Sequence, residues 1–306
     1  MINIKKIGHD PWMLFPYVAT CFRWFGWMND EWYLKLMFRA KTGKRLNLDN
    51  PQTFNEKLQW LKLYDRKEIY TEMVDKYEVK KYVKEKIGSK YIIPTYGVWN
   101  HFEDINFEIL PDQFVLKTTH DSGGVVICKD KTNFNVEVAK RKINKSLRQK
   151  FYLQGREWPY KNVKPRILAE KYMEDNTTKK LHDYKFFCFD GVPKVLLITS
   201  DKENKVVEPK SDFFDMDFHH MKLVNGYPNA TRCPEKPKMF YRMQELAAEL
   251  SKNIPQIRVD FYEVDGEIYF GELTFFHWSG MTPFKPEYWD RKFGEWITLP
   301  EVSPKG

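Results

Sequence analysis

The segment from Ile257 to Thr274 limits the fold more than any other stretch. Two alternating runs, Ile257-Arg258-Val259-Asp260-Phe261-Tyr262 and Ile268-Tyr269-Phe270-Gly271-Glu272-Leu273-Thr274, flank Asp265-Gly266. Asp-Gly between such runs is a tight-turn signal, so an antiparallel strand pair is expected here. A period of two puts Arg258, Asp260 and Tyr262 on one face of the first strand, and Glu272 and Thr274 on one face of the second. A cross-strand Asp and Glu offer the hard oxygens that suit Mg²⁺. Arg258, two residues from Asp260, is placed to stabilise negative charge developing in a transition state. The plain alternative is a charged strand face with a surface Arg–Asp pair, which is worth little. The apolar residues interleaved with these charges favour a site.

Further short β-branched or aromatic runs begin near residue 91: Tyr91–Ile93, Phe114–Leu116, Val125–Ile127, Arg166–Ala169, Tyr184–Phe189 and Val195–Thr199. Helical patterns at 136–150 and 238–253 separate some of them. Irregular alternation of this kind predicts an α+β or α/β fold with mixed sheets. Residues 1–70 read as aromatic-rich helices. Met28 to Ala40 has Asn29 or Asp30 as N-cap, and Thr53 with Glu56 has the spacing of a capping box. Residues 71–88 read as one charged helix ended by Gly88. The stretch Trp12 to Met28 is broken by Pro16, Arg23 and Gly26; core packing is expected for it, with a membrane-interface role as the alternative.

Composition excludes whole classes. With 42% hydrophobic and 16% aromatic residues, 306 residues can bury a core of two domains or lobes, so global disorder is out. No apolar run is long enough to span a bilayer. The cysteines, Cys21, Cys128, Cys188 and Cys233, form no CxxC pair, so a zinc ribbon and a disulfide framework are not expected. A reducing cytoplasm fits, and no signal peptide is recognised at the N-terminus. The net charge of +8 favours anionic ligands, but the lysines are interleaved with acids and give no stripe for a nucleic-acid duplex.

P-loop, dinucleotide-loop, HExxH and GxSxG motifs are all absent. Instead, Phe114 to Ile127 reads as a hairpin in which a strand delivers Lys117 to a tip containing Ser122-Gly123-Gly124. Glycines let backbone N–H groups converge on an anion, so a phosphate is the expected guest. Ile167 to Met173 is a strand running into a linker, followed by His182-Asp183-Tyr184-Lys185; it could present backbone groups to a flat heterocycle. Asp75-Lys76 opens a helix over 76–86. His120 and His277 stand close in sequence to these segments. Asp215-Met216-Asp217 is a D-x-D, the metal and sugar-diphosphate pattern of some glycosyltransferases, set among Phe213, Phe214 and Phe218 with no clear strand before it.

Taken in order, these segments resemble the ATP-grasp superfamily. More closely, the chain is similar to the TupA-like ATP-grasp family of bacterial surface-polysaccharide and teichuronopeptide synthesis, whose members are often labelled glycosyltransferases. Leu48–Trp60 and Phe270-Gly271-Glu272-Leu273-Thr274 carry that likeness, which extends over about 35–300. The resemblance implies two α+β lobes clasping ATP: a helical region over 1–70, an N-lobe with the phosphate loop over 71–180, and a C-lobe with the metal site over 181–306. It implies that Lys76 and Lys117 contact phosphates and that Ser122, Gly123 and Gly124 close over them. Glu170, Lys171 and the backbone near Tyr172 and Met173 would hold adenine, and Asp183 the ribose, with Lys185 toward the phosphates. Asp260, Glu272 and Thr274 would bind Mg²⁺, with Arg258 and Lys117 as catalytic groups. Thr274 departs from the Asn common in related ligases. The implied reaction is ATP-dependent ligation of a carboxylate to an amine, on a surface polysaccharide or its precursor, in the cytoplasm or at the inner face of the membrane. The competing readings are a glycosyltransferase using Asp215 and Asp217, and a non-catalytic scaffold of a glycan-assembly complex.

Overall fold

The computed structural model describes residues 15, 26–200 and 208–301. The Trp12–Met28 stretch therefore lies almost wholly outside the described residues. Among them, no helix is long and apolar enough to cross a membrane.

Helix α1 (Asp30–Thr42) is capped by Asn29, whose side chain accepts from Glu31 N, and it stops at Gly43 in the left-handed conformation. Helix α2 (Phe54–Tyr64) begins with the full Thr53–Glu56 capping box. Both starts match the sequence reading. The charged stretch that follows does not form one helix. It breaks into α3 (Ile69–Val74) and α4 (Val79–Ile87). Asp75 causes the break: its carboxylate accepts from Tyr77 N at 2.8 Å and pairs with Arg166 at 2.8 Å. The Lys76 amide is thereby turned out of any helix and donates to Thr119 O at 3.1 Å.

The first sheet has the order β1-β4-β2-β3. Its strands are β1 (Thr95–Trp99), β2 (Phe114–Thr118), β3 (Val125–Cys128) and β4 (Ile167–Lys171). All pairings are antiparallel. Helix α5 (Val136–Leu147) covers it and buries Ala139 and Ile143 against Phe114, Leu116 and Ile167. Tyr91–Ile93, expected as a strand, instead leaves the 3₁₀ turn Ser89–Tyr91 and buries Tyr91 and Ile93 in separate apolar clusters. Pro94 ends it, and the strand starts one residue later.

A short helix, α6 (Tyr152–Gly155), leads back toward β4. The second sheet has the order β11-β10-β5-β6-β7-β8. It comprises β5 (His182–Phe189), β6 (Val192–Ser200), β7 (Lys210–Phe214), β8 (His220–Met221), β10 (Ile257–Val264) and β11 (Glu267–Thr274). A small ladder joins β9 (Val224–Asn225) to β12 (Phe284–Lys285). Strand β7, absent from the sequence reading, runs directly into the D-x-D. Helix α7 (Phe240–Leu250) packs its apolar stripe on β5, β6 and β10.

Helices α2, α3 and α4 belong to the same apolar core as this second sheet. Helix α8 (Tyr288–Glu295) fastens α2 in place. Asn55 donates its backbone and side-chain N–H groups to the two oxygens of Asp290, each at 3.0 Å. Lys57 Nζ donates to Gly294 O at 2.9 Å and Ile297 O at 2.8 Å. A Cβ on Gly294 would lie 2.2 Å from Gln52 O, so only glycine permits this approach.

Candidate functional site: a cleft between the two sheets

The hairpin expected at 257–274 forms as read. Asp265 and Gly266 both adopt positive φ (52° and 80°) at its turn. Asp260 pairs directly with Glu272, and Arg258 with Thr274. The next pair is Phe261 with Phe270, so Gly271 is an extra residue that bulges the strand. A Cβ there would sit 3.0 Å from Asp260 O. The charged face is solvated only at its Glu272 edge, contrary to the simplest sequence picture. Arg258, Asp260 and Lys185 are all buried.

Such burial demands pairing. Arg258 grips Asp260 with two bonds, Nε to Oδ1 and Nη2 to Oδ2, each 2.7 Å. The same Nη2 lies 3.1 Å from Glu272 Oε1 and 3.0 Å from Thr274 Oγ1. Its Nη1 donates to His277 Nδ1 at 2.8 Å. Since guanidinium only donates, that ring nitrogen accepts, and His277 carries its proton on Nε2. Burial, with the Arg258 and Lys185 charges, holds His277 well below the usual histidine range. Lys185 reaches Asp260 Oδ2 at 2.9 Å and also pairs with Asp183, two residues along the same strand face. Burial pushes the Asp260 carboxyl up, and Arg258 and Lys185 offset part of that. For Glu272, burial is outweighed by Arg258, Lys76 and Lys185, which hold it below the ordinary value.

The first sheet, with the α3–α4 segment beside it, supplies the opposite wall. Lys117 Nζ lies 2.6 Å from Glu170 Oε2, and Lys80 Nζ 2.6 Å from Glu170 Oε1. Burial alone would raise the Glu170 carboxyl; the two lysines hold it low. Lys76 donates to Asp121 O. Asp121 shapes the loop after β2. Its carboxylate accepts from Thr118 Oγ1, from Ser146 Oγ, and from Gly124 N at 3.2 Å. A Cβ on Gly124 would lie 1.8 Å from Thr118 Oγ1, whereas one on Gly123 meets nothing closer than 3.9 Å. Gly124 is thus a packing requirement, and Gly123 is left free at the exposed tip beside Ser122.

The two walls enclose a cleft of about 190 Å³ lined by Lys76, Lys80, Lys117, Ser122, Glu170 and Glu272, among others. Lysines from one side thus face Glu272 from the other, with Asp260 paired behind it. Lys171 and Tyr172 do not join it with their side chains. They line an outer recess shared with Tyr96 and Lys129; Lys171 leaves β4 by the face opposite Glu170, and Tyr172 lies just past the strand's end. Met173 is buried against Ile93 and Val264. His120 is buried, with Nε2 3.2 Å from Gln149 O.

Asp215 and Asp217 lie at the turn after β7, four strands from β11. Their ligand atoms come within 4.8 Å of a His219 nitrogen. Asp215 spends its carboxylate closing the turn, accepting from Asp217 N at 3.0 Å and His219 N at 2.8 Å.

Sequence reasoning passed over two lysines. Lys80 was hidden in a charged run. Lys62 had a visible signal, a cation within Trp60-Leu61-Lys62-Leu63. It is fully buried, and burial pushes its ammonium down to about 8. Its Nζ donates to Gln59 Oε1 at 3.0 Å and to both Ser279 O and Ser279 Oγ at 2.8 Å. It clamps the loop after β11, where Trp278, Ser279 and Gly280 all take positive φ (48°, 56° and 60°). Non-glycine residues there are strained, as is common beside working sites.

Could the hairpin hold a divalent ion? Two carboxylates and a hydroxyl already converge on one cationic nitrogen, Arg258 Nη2. Oxygen donors of this type fit a small hard dication.

Two antiparallel sheets closing over a cleft, with lysines on one wall and an Arg-x-Asp/Glu hairpin on the other, define an ATP-grasp enzyme. The chain belongs to the TupA-like ATP-grasp family, whose profile matches residues 56–298. No curated protein matches the chain. Among solved structures, D-alanine–D-alanine ligase from Helicobacter pylori is similar, with 15% identity, a TM-score of 0.47, and coverage of 80% of this chain and 69% of that one. The ATP-grasp ligase PsnB with minimal precursor, Mg and ADP shows 9% identity and a TM-score of 0.40, covering 72% and 57%. Biotin carboxylase from Campylobacter jejuni shows 15% identity and a TM-score of 0.38, covering 75% and 48%. This chain thus spans between about half and two thirds of the length of those proteins.

Proposed function

We propose that the protein is an ATP-dependent carboxylate–amine ligase acting on a bacterial surface polysaccharide or its precursor, with an amino acid as the other partner. One observation carries the reading: Lys76, Lys80 and Lys117 from one wall and Glu272 from the other line a single cleft, with Asp260 paired to Glu272 behind it. Cations opposite a dication cradle are what a triphosphate requires. In this reading 71–180 forms the phosphate-gripping lobe and 181–306 the metal-bearing lobe.

Lys76 and Lys117 take the nucleotide phosphates, and Ser122 with the Gly123 backbone closes over them. The backbone of Glu170 to Met173 borders the base, Asp183 the ribose, and Lys185 stands behind the phosphates. Asp260, Glu272 and Thr274 hold Mg²⁺, which neutralises phosphate charge. A substrate carboxylate oxygen attacks the γ-phosphorus of ATP; the bond to ADP breaks and an acyl phosphate forms. The amine attacks the acyl carbon, phosphate leaves, and an amide results. Arg258 lies where negative charge on the phosphoryl group would be offset. No covalent protein nucleophile is needed.

Thermal-shift measurements separate this reading from its rivals. ATP with Mg²⁺ is expected to raise the melting temperature, and UDP-sugars are not. Stabilisation by UDP-sugars alone would favour a transferase working through Asp215 and Asp217, and stabilisation by neither would favour a scaffold. Incubation with ATP, Mg²⁺ and a panel of amino acids and uronic-acid glycans, following ADP and product mass, then names the substrates.

A further inference from the structure

The Arg258 guanidinium occupies an unusual position. A single nitrogen, Nη2, lies 2.7 Å from Asp260 Oδ2, 3.1 Å from Glu272 Oε1 and 3.0 Å from Thr274 Oγ1. Those are one oxygen from each of the three residues that the hairpin offers to a metal. Nη2 carries two hydrogens and cannot serve three oxygens well. The cradle is therefore shaped for a cation with more bonds to give.

We propose that Arg258 is the place-holder for the divalent ion: in the nucleotide-free enzyme its Nη2 fills the oxygen cradle, and it yields that place when the ion arrives with the nucleotide. The proposal rests on the nucleotide reading above and adds an order of loading to it. Three features support it. Without a cation there, Asp260 and Glu272 would stand opposite each other with only lysine ammonium groups to balance them, a costly arrangement for Asp260, which is 2% exposed. The Glu272 side chain is 45% exposed, so the cradle opens on that side toward the cleft. Arg258 also keeps a second anchorage, since Nη1 is bonded to the neutral His277 ring at 2.8 Å and that bond does not depend on the cradle. A guanidinium leaving the carboxylates stays tethered at the site, where it can meet phosphate.

The consequence is that the metal-free cradle resists bare dications. Nucleotide phosphates lower that resistance, because they offer the displaced Arg258 a new counter-charge. Mn²⁺ titration followed by the loss of its free-ion EPR signal reads this without any turnover. Wild-type protein without nucleotide is expected to take up Mn²⁺ weakly, and added ADP to tighten it. Arg258→Gln is expected to bind Mn²⁺ alone at least about tenfold more tightly than wild type, since a unit positive charge has gone from beside the ion. The gain should vanish in the double variant Arg258→Gln/Asp260→Asn. If Arg258→Gln does not give a native circular dichroism spectrum, Arg258→Lys serves: its single ammonium cannot span both carboxylates, and an intermediate tightening is expected. Mn²⁺ affinity equal to or below wild type in a folded Arg258 variant overturns the proposal. Failure of the nucleotide reading looks different: ADP then leaves wild-type Mn²⁺ uptake unchanged, while the comparison between nucleotide-free proteins still stands or falls by itself.

Discussion

Lys117 Nζ and Glu170 Oε2 stand 2.6 Å apart on adjacent strands of the first sheet. Glu170 is registered opposite Val115, so Lys117, two residues on, shares its face as a diagonal neighbour. Lys80 closes the other oxygen. Glu170 is thus the shared counter-ion of two half-buried lysines in this wall. Glu170→Gln leaves both uncompensated and is expected to cost about 3 kcal/mol at pH 7, the usual scale for breaking a buried ion pair. The carboxyl is held below its ordinary value in the folded protein. Its contribution is therefore present above the unfolded value and lost as pH falls through the folded one. Urea unfolding of wild type and variant between pH 3 and pH 7 should show curves that converge in acid; a constant gap would remove the ion-pair explanation.

Gly123 and Gly124 look equivalent in sequence but differ in space. Gly124→Ala drives a methyl into Thr118 Oγ1 and Ser146 Oγ. It is expected to destabilise by about 1–3 kcal/mol, as overpacking does. Gly123→Ala should leave the melting temperature near wild type. If the loop tip closes on phosphate, that variant weakens ATP binding in isothermal calorimetry. Equal melting temperatures for the two variants would contradict the geometry.

Lys117→Ala and Asp260→Asn each remove one side of the proposed nucleotide clamp. Each is expected to lower ATP turnover at least about 100-fold while circular dichroism remains native. Wild-type turnover in both would discard the site.

Lys62 carries a pH signature of the same sign as Glu170, but in the alkaline range. Burial lowers its folded value to about 8, below that of the unfolded chain. Between those values the unfolded chain binds more protons, so stability rises with pH through that window. Denaturant unfolding from pH 7.5 to pH 10 should show a wild-type gain that Lys62→Met lacks. Parallel curves would mean the lysine titrates as if exposed.

Much of the hairpin was legible because strand periodicity and an Asp-Gly turn are local signals. They fixed the partnership of Arg258, Asp260, Glu272 and Thr274 without knowledge of anything else. The capping box at Thr53 and Glu56 was local in the same way. What could not be read was tertiary. Lys62 finds Ser279 across 217 residues, and Arg166 reaches back to Asp75 and breaks a helix that the charge pattern favoured. Lys171 lies on β4 as read, yet its side chain lines the outer recess and not the cleft; deciding that required the neighbouring strands. Nor could spacing reveal that Arg258 and Asp260 are buried on the charged face while Glu272 stays half-exposed.

Asn55 is separated by 235 residues from Asp290, to which it is bolted. During synthesis, α2 leaves the ribosome long before its partner exists. Phe54, which packs edge-on against Phe284 and Phe293, lacks those partners until they emerge. Completion of this half of the fold therefore waits on a segment 235 residues downstream, and a nascent chain short of it would hold α2 with part of its apolar face unburied.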